Sequence, residues 1–145
     1  MPVVSYASVS GRPRLVAVGC NPASFTTKLA IRARAFSLSL LDKSSIAAFE
    51  RLATTSGAKV EDKLAAAGLP HKMGVALPVP VIDGAEATLE CRMESKLKLG
   101  DHVLLVGRVQ AAYASAAFSD FWDFAKYRPI LYTGWRDGMS TFPGT

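Results

Sequence analysis

The sequence predicts a mainly β, α+β fold, a small barrel with two or three helices on its rim. Three observations carry that prediction. Apolar segments of strand length recur between Gly, Pro and Asp turn signals along most of the chain. The segment Ala87–Glu94 alternates strictly, with Ala87, Leu89, Cys91 and Met93 on one side and Thr88, Glu90, Arg92 and Glu94 on the other. That is the period of a half-exposed strand. Val103–Val106 is apolar at every position, as in a strand covered on both faces. Many short strands at turn-marked intervals close most economically into a barrel. At 145 residues the chain has the length of one domain with its own core, so residues 1–145 read as a single domain.

Taken in order, Val3–Ser10 reads as a strand closed by the turn Gly11–Arg12–Pro13, and Leu15–Cys20 as a second strand. After Asn21–Pro22 the period changes. Leu29, Ile31 and Ala35, punctuated by Lys28, Arg32 and Arg34, predict a helix beginning near Ser24. Phe36–Leu41 alternates as a strand. Ser44 or Ser45 can cap a helix carrying Ile46, Phe49 and Leu52 that ends near Gly57. A shorter helix runs from Val60 to a stop at Gly68. The prolines place Leu77–Val81 in an extended segment. His102–Ala112 is the expected central strand, with Gly107 marking a bulge or a close backbone approach. Ile130–Thr133 forms a last short strand before an end that reads as disordered.

The bulk composition narrows the function classes. Half of the residues are hydrophobic, yet no apolar run approaches the roughly 20 residues of a membrane span. The surplus apolar surface is therefore assigned to an oligomer interface. The net charge of +5 favours anionic partners, phosphate-bearing cofactors among them. Lys and Arg are scattered and not interleaved with aromatics, which argues against a nucleic-acid-binding barrel. Cys20 and Cys91 sit in apolar strand contexts and read as buried thiols. No CxxC or His/Cys cluster offers a metal site. The start shows no charged leader followed by an apolar run, so a cytoplasmic location is expected. Gly-x-Ser-x-Gly, Gly-x-Gly-x-x-Gly and Walker patterns are absent. A dinucleotide, if bound, is held without a Rossmann domain.

Three groups of residues remain as candidates. Ser24, Thr26 and Thr27 open a helix with Lys28 in its first turn. Unpaired N–H groups, hydroxyls and an ammonium there would hold a phosphate. Plain N-capping would need only one of them. The hydroxyl-rich strand Ser5–Ser10 can hydrogen-bond a flat polar ring or simply present a solvated face. His102, directly after Gly100–Asp101, can orient a reduced nicotinamide or donate to a flavin; otherwise it is a turn histidine satisfied locally. His71 receives no role.

The segments SYASVSGRPRLVAVG, SFTTKLAIRARAFSLSLL, TTSGAKVEDKLAAAGL, GDHVLLVGRV and ILYTG, in that order, resemble the flavin reductase-like proteins of the FMN-binding split-barrel fold. That group includes flavoredoxin and the reductase components of two-component monooxygenases. The resemblance covers nearly the whole chain. It implies a Greek-key split barrel and a homodimer, with FMN held non-covalently in a groove between subunits. It also implies hydride transfer from NADH or NADPH to that flavin, with no metal. Carried over by residue, Ser5, Tyr6, Ala7, Ser8 and Ser10 would face the isoalloxazine ring or ribityl chain. Ser24, Thr26, Thr27 and Lys28 would hold the phosphate, and Lys63 would be a further phosphate or cofactor contact. His102 would stand by the ring as the catalytic residue.

Two departures accompany the resemblance. Family members carry a strand pair of about 20 residues upstream of the Ser-aromatic motif, whereas this chain opens at Met1-Pro2, so that hairpin is missing or lies before the assigned start. Where the family has asparagine after the helix, this chain has Ser39. Two further uses of such a fold follow: an FMN-binding electron-transfer or storage module without NAD(P)H turnover, and a ferric reductase. A monooxygenase or another electron acceptor is the expected partner.

Overall fold

The computed structural model describes residues 1–132 and 139–141. Strands β1 (Tyr6–Gly11) and β2 (Arg14–Cys20) form a hairpin, followed by helix α1 (Phe25–Ala33) and strand β3 (Ala35–Leu40). A 3-10 turn over Lys43–Ser45 leads into α2 (Ile46–Thr54), and α3 (Lys63–Ala66) follows. A small hairpin, β4 (His71–Met73) and β5 (Pro80–Ile82), precedes the two long strands β6 (Ala87–Leu99) and β7 (His102–Ala114). β8 (Ile130–Tyr132) and β9 (Met139–Thr141) pair at the end.

Five strands make the main sheet in the order β1-β2-β7-β6-β3, antiparallel throughout. β3 follows β2 in the chain but lies on the far edge, a Greek-key connection. Register explains the core. Val16 pairs with Gly107, Val18 with Leu105 and Cys20 with Val103, so alternate residues of β2 and β7 point to one face. On that face Val16, Val18, Cys20, Leu38, Cys91, Met93, Val103 and Leu105 are buried together, and Ala30 and Ile31 of α1 pack against them. Each large aliphatic removed from water there contributes about 1.5–3 kcal/mol. Helix α1 thus covers the concave side of the sheet toward the Cys20 end of β2. A second cluster, Leu41, Ala48, Leu52, Ala67 and Leu69, joins α2 and α3.

Local chemistry sets the boundaries. Helix α1 stops because Arg34 turns left-handed, at φ 52°, and its amide returns to the carbonyls of Ala30 and Ile31. The helix therefore ends before Ala35, which opens β3. The helical middle is capped by Asp42, not by Ser44 or Ser45. Its carboxylate accepts from the Ser44 amide at 3.0 Å and from the Arg128 amide at 2.9 Å, tying the start of α2 to the chain before β8. These amides hold the carboxyl below its ordinary pKa although burial pushes it up. The expected helix from Val60 to Gly68 shrinks to Lys63–Ala66, begun by Asp62, which accepts from the amides of Leu64 and Ala65. His71 completes that cap, with Nε2 3.2 Å from the Asp62 carboxylate.

Strand β6 departs from the half-exposed expectation. Thr88 and Glu90 on its supposedly wet side are fully buried. Segment 74–77 folds over them, and Glu90 accepts hydrogen bonds from the amides of Val75 (2.8 Å), Ala76 (2.9 Å) and Leu77 (2.8 Å), and from the Tyr113 hydroxyl at 3.3 Å. Desolvation pushes the carboxyl up, but the three amides outweigh it and hold the pKa below the usual range. Gly107 marks a close approach: a Cβ there would fall 2.6 Å from Phe36 and 2.7 Å from Cys91. β4 was not expected, and β9 forms within the end that reads as disordered. The expected last residue of the closing strand, Thr133, lies outside the described residues.

Candidate functional site

Among the described residues, cavities lie toward each end of β2. The first lies where α1 begins. Ser24 occupies the N-cap position but its side chain makes no capping bond, so it leaves the amides of the helix's first turn free of a side-chain acceptor. Ser24 and Thr26 line this cavity of about 420 Å³, with Met1 and Pro2 on one side and Thr54, Thr55, Ser56 and Gly57 from the end of α2 on another. Lys63, the first residue of α3, also reaches it. Burial pushes the Lys63 ammonium below its ordinary pKa. Among the described residues it has no ion-pair partner. Gly57 packs closely against this wall. A Cβ there would stand 3.2 Å from the Phe25 ring and 3.7 Å from the Lys63 stem.

The expected phosphate residues divide at this point. Ser24, Thr26 and Lys63 meet in the cavity. Thr27 does not: its side chain is fully buried, faces Cys20, and lies 3.5 Å from the Met1 sulfur, which also receives the Ser24 hydroxyl at 3.1 Å. Helical spacing is the reason, since adjacent residues sit about 100° apart around the axis. Lys28 is exposed on α1 and does not line the cavity. The residues Thr54–Gly57 come from far along the chain, and only their hydroxyl-rich composition marks them in the sequence.

His102 and Ser5 lie at the same end of the sheet. Val103 pairs with Cys20, which places His102 level with the loop leading into α1. The Ser5 carbonyl accepts from the Gly19 amide at 2.8 Å. By alternation from Val18 and Val103, both of which face the core, Gly19, Ser5 and His102 belong to the outer face. Gly100, at φ 56°, makes the tight turn before His102. His102 Nδ1 lies 2.8 Å from the Asp101 carboxylate, which His102 holds below its ordinary pKa. Nε2 has no partner among the described residues.

The second cavity, of about 440 Å³, lies toward the Gly11–Arg14 end, inside the sheet's concave face. Tyr6, Ser8 and Ser10 line it from β1, opposite Leu38, Leu40, Leu89, Val109 and Ala112, and Arg14 stands among them. The register shift between Ser8 and Ser10 keeps both on this wall. The candidate set of β1 is therefore split by strand alternation. Tyr6, Ser8 and Ser10 face the second cavity, and Ser5 and Ala7 lie on the other face. Ser39 lines neither cavity. It is on the face opposite Leu38 and Leu40, with its hydroxyl 3.5 Å from that of Thr88. Among the described residues no group of three or more His, Cys, Asp or Glu side chains is placed to hold a metal. None of the described helices is long and apolar enough to cross a membrane.

Comparison with known proteins agrees with this architecture. A protein of Aeropyrum pernix with no assigned function is 29% identical over 130 residues, 89% of this chain and 49% of its own length. The chain thus spans about half the length of that relative. A flavin reductase of Pseudomonas putida is 31% identical over 110 residues, 76% of this chain and 61% of its own. Among solved structures, the FMN-binding protein of Thermus thermophilus with bound p-hydroxybenzaldehyde superposes with a TM-score of 0.83 at 30% identity. That match covers 97% of this chain and 75% of the other. The family model described as the flavin reductase like domain matches residues 1–133. With that model covering nearly the whole chain, the chain belongs to the flavin reductase-like domain family.

Proposed function

We propose that this protein binds FMN non-covalently and passes hydride from NADH or NADPH to it, acting as a flavin oxidoreductase. One observation carries the reading: Ser24, Thr26, the start of α1 and the Lys63 ammonium converge on a single cavity. That donor set fits a phosphomonoester, which carries about −1.5 to −2 charges at neutral pH. Amides at a helix start attract such an anion. The hydroxyls fix its orientation, and Lys63 supplies the full charge that offsets it.

FMN, when bound, supplies the two-electron chemistry. The chain binds, orients and shields. Lys63 and the hydroxyls anchor the phosphate. Ser5, Gly19 and His102, at the same end of the sheet, offer a hydrogen-bonding surface for the ring and the incoming nicotinamide. Gly19 presents only backbone there. Asp101 fixes His102 through Nδ1, so that Nε2 is the nitrogen turned to the nicotinamide. A homodimer would close the ring side of the site, and exposed Val4 and Leu99 are apolar surface for such contact. The electrons would leave to a monooxygenase or another acceptor, in the cytoplasm.

The test is spectroscopic. Adding protein to micromolar FMN should quench its fluorescence and shift its visible bands, and riboflavin should bind at least tenfold more weakly. Stopped-flow mixing of the loaded protein with NADH and NADPH should bleach the flavin. No change on adding protein ends the flavin reading. Binding without bleaching leaves an electron-transfer module. His102→Ala should slow bleaching and leave FMN affinity intact.

A further inference from the structure

We propose that the cavity toward the Gly11–Arg14 end of the barrel is a separate binding site for a small amphiphilic monocarboxylate. The inference goes beyond the flavin reading and does not depend on it. The two cavities share no lining residue. Between them runs β2, seven residues long, which spans about 20 Å at roughly 3.3 Å per residue. Tyr6, Ser8 and Ser10 therefore border a cavity separate from the one beside α1.

The wall chemistry identifies the class of ligand. Leu38, Leu40 and Leu89 from the edge and neighbouring strands make one side apolar. Ser8, Ser10 and Arg14 line the cavity as well, and they bring two hydroxyl-bearing side chains and one guanidinium-bearing side chain to its border. Arg14 is the one charged residue among the lining residues. Beyond their backbone pairing in the β1–β2 hairpin, the side chains of Arg14, Ser8 and Ser10 have no hydrogen-bond or ion-pair partner among the described residues. An aliphatic wall beside one planar cation and two hydroxyls is complementary to a molecule with an apolar body and a single anionic head. The guanidinium fork matches a carboxylate bidentately. A phosphate or a polyanion would waste the leucines, and a cation would meet Arg14. The volume of about 440 Å³ lies within the roughly 300–1,000 Å³ of small-molecule sites.

Isothermal titration of the full chain with octanoate, octanol and octylamine, with and without saturating FMN, tests the proposal. Octanoate should bind once per chain, octanol more weakly and octylammonium not at all, and FMN should leave the octanoate affinity unchanged. Arg14→Gln should weaken octanoate about tenfold, the loss expected for one charge-assisted contact, and leave octanol and FMN binding as they were. Ala112→Phe, which fills the cavity, should abolish octanoate binding. Arg14→Gln alters an exposed side chain and keeps the test valid if Ala112→Phe does not fold. The proposal fails if millimolar octanoate gives no saturable heat or if octylammonium binds equally well. It also fails if Arg14→Gln changes nothing, or if octanoate and FMN displace one another. Octanoate-insensitive dimers broken by Arg14→Glu would give the mouth to a second copy of the chain and overturn it too.

Discussion

A methyl group on Gly74 would fall 2.5 Å from Oε2 of Glu90. The segment that buries this carboxylate wraps it so closely that its first residue has no room for a side chain. Gly74→Ala should therefore destabilise the protein by about 1–3 kcal/mol. Glu90→Ala, which strips the acceptor from three amides, the buried one of Leu77 among them, should cost as much or more. Urea unfolding at neutral pH measures both. The folded-state pKa of Glu90 lies below its unfolded value. Its stabilisation is thus complete above about pH 4.3, the unfolded value, and is lost as pH falls through the folded one. Glu90→Gln should flatten the acid limb of stability against pH.

Lys63 gives a pH signature of a different kind. Burial lowers its pKa in the free protein, and an anion beside it would favour the charged form. FMN affinity should weaken as pH rises through the free-state pKa, and again below about pH 6, where the phosphate loses its second charge. Lys63→Gln should weaken FMN about tenfold or more and abolish the alkaline loss. Riboflavin binding should be indifferent to both changes. Fluorescence titrations across pH check this.

Thr26 and Thr27 are adjacent and should behave oppositely. Thr26→Val removes a hydroxyl from the cavity and should weaken FMN roughly three- to tenfold, as one lost hydrogen bond would. Thr27→Val should leave FMN affinity within about twofold, because that hydroxyl is sealed against Cys20 and Met1. Its effect should be on thermal stability instead. Parallel titration and melting curves separate the two.

The thiols should be inert in the native state. Burial, followed by the negative charge of Glu90, pushes the Cys91 thiol up to about 12. Burial also raises Cys20, against a hydrogen bond from Thr27. At pH 8 a disulfide reagent should label neither cysteine until the chain is unfolded, since only the thiolate reacts.

The sequence carried its own periodicities well and its long-range contacts poorly. The core strands β2 and β7, the start of α1 and the close approach at Gly107 follow from residues near one another in the chain. Glu90 looked solvent-facing because alternation reports a strand's two faces and says nothing of a loop that later folds over one of them. Thr54–Gly57 reach the cavity beside α1 through the close approach of Gly57 to Phe25, which no local pattern encodes. The β1 residues are legible as a polar set, and the two-residue period of a strand divides Ser5 and Ala7 from Tyr6, Ser8 and Ser10. The short β4 and β9 form through pairing, with no strand signature of their own.

The position of β7 as the third of five strands has a dynamic consequence. Its main chain is paired on both sides, to β2 over Val103–Arg108 and to β6 along its whole length. Deuterium should therefore enter the Val103–Val106 amides last, only through global opening, whereas the isolated β8–β9 ladder should exchange early through local opening. Both the turn that presents His102 and the wall that carries Val109 are mounted on the segment slowest to open, so the two ends of the molecule share one rigid axle.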